Sequence, residues 1–170
     1  MTVITLHSPR HRLTLDQRRQ LSQTLTDAVL EVEIGQVIPA ARAGFQVWFR
    51  NYEPDELAIG GALLSEQPQP ADLMLIEIDV MAGHWPASDR RKVIENTYRA
   101  LGAAVGVDAV PPGWWVVFRS IDEGSWGSRG EVLSILALLD SGVFTADRAA
   151  LIRQTQGVGE APGVTLSDGR

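Results

Sequence analysis

The sequence predicts a two-layer α+β fold, in which a tandem β-α-β duplication forms a four-stranded sheet with two helices on one face. Three observations lead there. The strand pattern Val3-Ile4-Thr5-Leu6-His7 returns 72 positions later as Leu75-Ile76-Glu77-Ile78-Asp79. The same shift carries Leu21, Leu25, Ala28, Val29 and Val32, spaced as one helix face, onto Val93, Thr97, Ala100, Leu101 and Ala104. After the helix the shift falls to 69, and Gly44-Phe45-Gln46-Val47-Trp48-Phe49-Arg50 overlies Gly113-Trp114-Trp115-Val116-Val117-Phe118-Arg119. A shorter loop in the second copy accounts for the change, since loops accept deletions that strands and helices do not.

Each element has local support. Thr14 with Gln17 three residues on has the form of a capping box, and Pro86, Ser88 and Asp89 fall in the first-turn region of the second helix. Gln67-Pro68-Gln69-Pro70 reads as a connector. The expected organisation is a first unit over 1–66, a connector over 67–72, a second unit over 73–130, helical segments over 131–156 and a flexible tail over 157–170. Within the third region, apolar spacing predicts short helices over Glu131 to Leu139 and Ala146 to Gln154. A crossover helix between parallel strands has one favoured hand, which puts both helices on the same side of the sheet. The other side is partly apolar, so a further subunit is expected to cover it.

Composition narrows the function classes. At 170 residues and 45% hydrophobic, the chain can bury one real core, as one domain or two small fused units. A net charge of −6 argues against a nucleic-acid partner, because the 15 Lys and Arg are scattered where such a site needs them massed. Without cysteine there is no disulfide framework, thiolate nucleophile or Cys-based zinc site, and the cytoplasm is the default location. No segment has the length or apolarity of a signal peptide core or a membrane span.

The opening Val3-Ile4-Thr5-Leu6, then Leu13 to Leu21 and Leu25-Thr26-Asp27-Ala28-Val29, resembles 4-oxalocrotonate tautomerase-like proteins. The unit ends, Phe49-Arg50 to Ile59-Gly60-Gly61 and Phe118-Arg119 to Gly124-Ser125-Trp126-Gly127, resemble that family's second strand and following turn. In layout the chain is similar to the fused-unit branches of the tautomerase superfamily, those of cis-3-chloroacrylic acid dehalogenase and malonate semialdehyde decarboxylase, over about 130 residues. The resemblance implies a tautomerase/MIF-like fold, a homotrimer, no cofactor and a small-molecule carbonyl or carboxylate ligand. It implies an isomerase-, hydratase- or lyase-like enzyme acting on a small enolisable or unsaturated carbonyl compound through a remodelled pocket. The alternative is a non-catalytic trimeric ligand-binding or scaffold protein.

The remodelling is visible residue by residue. In the family an amino-terminal proline is the general base or acid and arginines hold the substrate carboxylate. Thr2 stands at the proline position, and Met74 at its second-unit counterpart. The second-strand arginine is replaced by Gln46 and Trp115, and the first-loop arginine falls near Leu13, with Arg12 one place earlier, and near His84 to Pro86. The helix position of the dehalogenase histidine is Val29.

Candidate catalytic residues are therefore Thr2, whose amine is free only if Met1 is removed, and His84, in the loop that carries an arginine in the relatives. Candidate substrate-binding residues are Arg12, Gln46, Trp115 and Trp126, with Arg10 beside Arg12 and carboxylates at Asp122 and Glu123 after the second strand. His7 and His11 lie on a strand and a loop without a shared face, so no metal pair is expected.

Overall fold

The chain is described by a computed structural model over residues 1–158. The first unit runs through strand β1 (Thr2–Pro9), helix α1 (Leu15–Ile34), the single turn α2 (Pro39–Arg42) and strand β2 (Phe45–Tyr52), and ends in a hairpin of β3 (Ala58–Ile59) and β4 (Ala62–Leu63). The second unit repeats this as β5 (Met74–Met81), α3 (Ala87–Val105), β6 (Trp114–Ile121) and a hairpin of β7 (Trp126–Ser128) and β8 (Glu131–Leu133). Two further helices come next, α4 (Ile135–Leu139) and α5 (Ala146–Thr155), where the first unit has only the single 3-10 turn Leu64–Glu66.

Local chemistry sets the helix ends. Thr14 accepts from the Gln17 amide at 3.2 Å while the Gln17 side chain accepts from the Thr14 amide at 2.9 Å, which satisfies two of the amides a helix start leaves open. Gly35 and Gly106 end α1 and α3 in the left-handed conformation, at φ 80° and 74°.

The four long strands form one sheet in the order β2-β1-β5-β6. Pairing is parallel within each unit and antiparallel between them, where Thr5 of β1 faces Glu77 of β5. Both long helices cover one face, where Ile4, Leu6, Ile76 and Ile78 meet Leu21, Leu25, Val29, Val93 and Leu101 in the main core. Each such aliphatic side chain contributes about 1.5–3 kcal/mol when withdrawn from water.

The opposite face is laid out by strand register in three rows, read from β2 to β6. They are Gln46-Val3-Asp79-Arg119, then Trp48-Thr5-Glu77-Val117, then Arg50-His7-Leu75-Trp115. The duplication extends to single hydrogen bonds: Thr2 donates to Gly44 O at 2.9 Å as Met74 donates to Gly113 O at 3.1 Å.

One expected element is corrected. The first part of the predicted helix over Glu131 to Leu139 is strand β8, which returns against β7 with Trp126 opposite Leu133. The turn between them needs positive φ at Arg129 (55°) and Gly130 (83°), which reverses the chain before a helix can begin. Helix α4 starts only where the Ser134 side chain caps the amides of Leu136 and Ala137. The second-unit hairpin thus runs past residue 130. The expected tail over 157–170 lies, from residue 159 onward, outside the described residues.

Candidate functional site

Because β1 and β5 are antiparallel, the two units place their equivalent sites at opposite ends of the sheet. The first end holds the start of β1 and the end of β5. Here Thr2 is buried, and its hydroxyl donates to Glu33 Oε2 at 2.6 Å. The Met1 amine lies 3.5 Å from the other Glu33 oxygen. Burial pushes the Glu33 carboxyl above its usual range, against the pull of the Met1 amine, the Thr2 hydroxyl and Arg148.

Arg148 of α5 locks this end. It is 6% exposed, with Nε donating to Glu33 O at 3.0 Å and Nη1 to Asp89 at 2.7 Å. Its Nη2 donates to His84 O, and its guanidinium lies over the Trp85 ring at 5.2 Å. Ile135, Leu139, Phe144 and Ile152 complete the seal against Leu30, Ile34 and Met81. The crevice left between Glu33, Gly83, His84, Trp85 and Arg148 is too tight to admit a water molecule.

The second end is open. A cavity of about 310 Å³ lies between the ends of β1 and β2 (His7, Ser8, Tyr52), the first hairpin (Leu57, Ala58, Ile59) and the starts of β5 and β6 (Leu73, Met74, Leu75, Gly113, Trp115). The volume is at the lower end of what small-molecule sites need. At the mouth Gly113 permits a close approach that no side chain would, because a Cβ there would come 2.6 Å from Asp72 O and 2.7 Å from Leu73 Cδ2. The wall is mainly apolar, and among the described residues that line it none is an arginine, lysine, aspartate or glutamate.

Two of its three polar side chains, His7 and Tyr52, meet at one corner. His7 Nδ1 is 2.7 Å from the Tyr52 hydroxyl, with the two rings within 18° of parallel. His7 Nε2 is 3.0 Å from Glu77 Oε2. Behind Glu77, Arg119 Nη2 lies 3.3 Å from Oε1 and Arg119 Nε donates to Asp79 at 2.7 Å. The Arg119 guanidinium is held above its ordinary value, first by the hydrogen bond to Asp79.

The residues singled out from the sequence are dispersed over both ends. Thr2 is buried at the first end, while His84 is half-buried there with Nδ1 2.9 Å from Thr155 Oγ1. Trp126 also sits at the first end, packed against the cluster around α4 and α5. Arg12 is near the second end, but its fork already holds both oxygens of Asp72, at 2.7 and 2.8 Å, and its guanidinium is 5.9 Å from the Trp114 ring. That bond raises the Arg12 pKa and leaves no free fork for a ligand carboxylate. Gln46 is on the open face, accepting from Trp48 Nε1 at 2.9 Å. Trp115 lines the cavity.

His7, Tyr52 and Glu77 are not legible as a group in the sequence. The signal available is strand parity: His7 and Glu77 fall on the open face once β1 is paired with β5, and the pairing register is not written in either strand alone. Among the described residues no cluster of His, Cys, Asp or Glu has the arrangement of a metal site. No helix of the described residues is long and apolar enough to cross a membrane.

No protein-family model matches the chain, and no curated protein matches it. Solved structures do. A fused 4-OT protein described as a symmetric trimer superposes with TM-score 0.62 at 22% identity, covering 80% of this chain and 98% of its own. A member of the cis-3-chloroacrylic acid dehalogenase family gives TM-score 0.63 at 14% identity over 89% of this chain and 99% of its own. Macrophage migration inhibitory factor of Toxoplasma gondii gives TM-score 0.56 at 16% identity over 77% and 99%. The chain has the tautomerase-superfamily fold of the fused two-unit type.

Proposed function

We propose that this protein is a trimeric, isomerase-like enzyme that acts on a small, uncharged, enolisable carbonyl compound at the second end of its sheet. The observation that carries the reading is the contrast within one cavity, an apolar wall of about 310 Å³ with His7 and Tyr52 converging on a single corner. Such a site withdraws a carbonyl compound from water and offers it one place for proton transfer. With no charged residue in the described wall, a buried carboxylate would lack a partner, and its desolvation costs several kcal/mol. A neutral substrate avoids that cost.

Assembly is supported from two sides. Among the described residues the outer edges of β2 and β6 are unpaired, and the open face presents Trp48, Trp115 and Val117 at 46%, 64% and 39% exposure. Related folds include the fused 4-OT protein described as a symmetric trimer. Sedimentation at micromolar concentration is expected to give three times the chain mass of 18.5 kDa, and a stable monomer contradicts the trimer.

The test compares phenylenolpyruvate with its methyl ester, two enols that differ in one charge. Loss of enol absorbance should be faster for the ester, and Ala58→Trp, which fills the mouth from the exposed hairpin, should abolish it. Equal rates with and without Ala58→Trp overturn the reading. A second reading, a non-catalytic binding protein, is favoured by the apolar wall, and it predicts saturable binding of the ester with no turnover.

A further inference from the structure

The geometry points to a proton relay, Glu77 to His7 to Tyr52, as the catalytic device of the cavity, with the Tyr52 hydroxyl oxygen as the atom that meets the substrate. This rests on the reading of the cavity as a carbonyl site.

Register brings the three together. In the parallel pair His7 faces Arg50, so Tyr52, two residues on and on the same face, is its diagonal neighbour. In the antiparallel pair His7 faces Leu75, so Glu77 is the diagonal neighbour on the other side. His7 therefore links the two repeats, 3.0 Å from Glu77 and 2.7 Å from Tyr52. An ionised carboxylate only accepts hydrogen bonds, so Glu77 fixes the proton on Nε2 and leaves Nδ1 as an acceptor for the Tyr52 hydroxyl. Tyr52 and His7 line the cavity and Glu77 does not. Glu77 is thus a positioning residue, held from behind by Arg119 at 3.3 Å. The order of orienting acid, base and reacting hydroxyl is that of an activated side chain, here used for proton transfer.

In ketonisation the enol O–H bond breaks and its proton passes to the Tyr52 oxygen, while the proton of Tyr52 moves to His7 Nδ1. The freed electron pair on the enol oxygen forms C=O, and the C=C pair takes a proton at the α-carbon from Tyr52. His7 then returns its proton to Tyr52. One O–H bond is lost and one C–H bond gained, and the relay ends as it began.

The experiment measures ketonisation of the methyl ester by wild type, Tyr52→Phe, His7→Gln and Glu77→Gln, with 15N NMR of the His7 ring in the wild type. Tyr52→Phe and His7→Gln are expected to lower kcat by about 10²-fold or more with little change in KM, the range for a lost general acid–base. Glu77→Gln is expected to lower kcat about tenfold and to move the acid limb of its pH profile, which a merely structural role would not do. The ring proton is expected on Nε2. Full activity in Tyr52→Phe and His7→Gln, with Ala58→Trp inactive, overturns the relay while sparing the site. A ring proton on Nδ1 reverses the bond to Tyr52 and also overturns it. If wild type turns over neither enol, or Ala58→Trp is as active as wild type, the site reading fails and takes the relay with it.

Discussion

The two ends of the sheet are built from the same repeat and have opposite fates. At the first, Thr2 and Gly44 make the hydrogen bond that Met74 and Gly113 make at the second, yet one end is packed shut and the other opens on a cavity. The strands do not cause the difference. Its source is the chain beyond the second unit: α4 and α5 lie over the first end, whereas the first unit is followed only by the short turn Leu64–Glu66 and the connector to β5. Duplication supplies two equivalent positions, and a short C-terminal addition decides which of them is available.

The asymmetry between the two ends depends most on Arg148. Replacing it by Met keeps the aliphatic stem but removes the donors to Glu33, Asp89 and His84. Leaving Asp89 and a buried carbonyl without their partner should cost about 3 kcal/mol in urea denaturation. The open end should still bind the methyl ester, because Arg148 lies at the opposite end of the sheet. Equal loss at both ends would show that the ends are coupled.

A smaller effect is expected at the mouth of the open end. Gly113→Ala forces a Cβ against the Asp72 carbonyl and Leu73, and overpacking of this kind costs about 1–3 kcal/mol. Ester affinity should fall with stability, since Gly113 also lines the cavity. Unchanged affinity would mean that the mouth is set elsewhere.

The smallest effect depends on pH. The folded pKa of Glu33 is raised above its unfolded value, chiefly by burial, so between the two values the folded state binds the extra proton. The Glu33 penalty is absent in acid below the ordinary glutamate range and grows as pH rises through the folded pKa. Glu33→Gln, which can still accept from Thr2, is therefore expected to be more stable than wild type at neutral pH. The gap should close as pH falls, and a gap that widens in acid would reverse the assignment.

Much of the fold is legible in the sequence because it rests on local periodicity. The 72- and 69-residue shifts place β5 on β1 and β6 on β2 residue for residue, and the Thr14–Gln17 cap starts α1 where the pattern says. Strand β8 reads as helix because Val132 and Leu133 fit helical spacing as well as a strand, and only the Arg129–Gly130 turn separates the two. The candidate site is far less legible. Arg148 meets a residue 115 positions away, and Arg12 meets Asp72 across 60, so neither partner lies within reach of a pattern. His7 reads as a strand residue beside a loop histidine, because its bond to Glu77 depends on which unit edges pair and in what register.

The placement of α5 also has a consequence in time. A chain is made from its amino terminus, and the sheet, both long helices and the cavity of the second end are complete in sequence by Ile121. Arg148 leaves the ribosome later still. Until it does, the Glu33 carbonyl and Asp89 lack the donors that Arg148 supplies in the finished fold. The closed end of this molecule is therefore the last to be sealed, and released chains that stop before Ala146 should expose it to proteases while the open end is already formed.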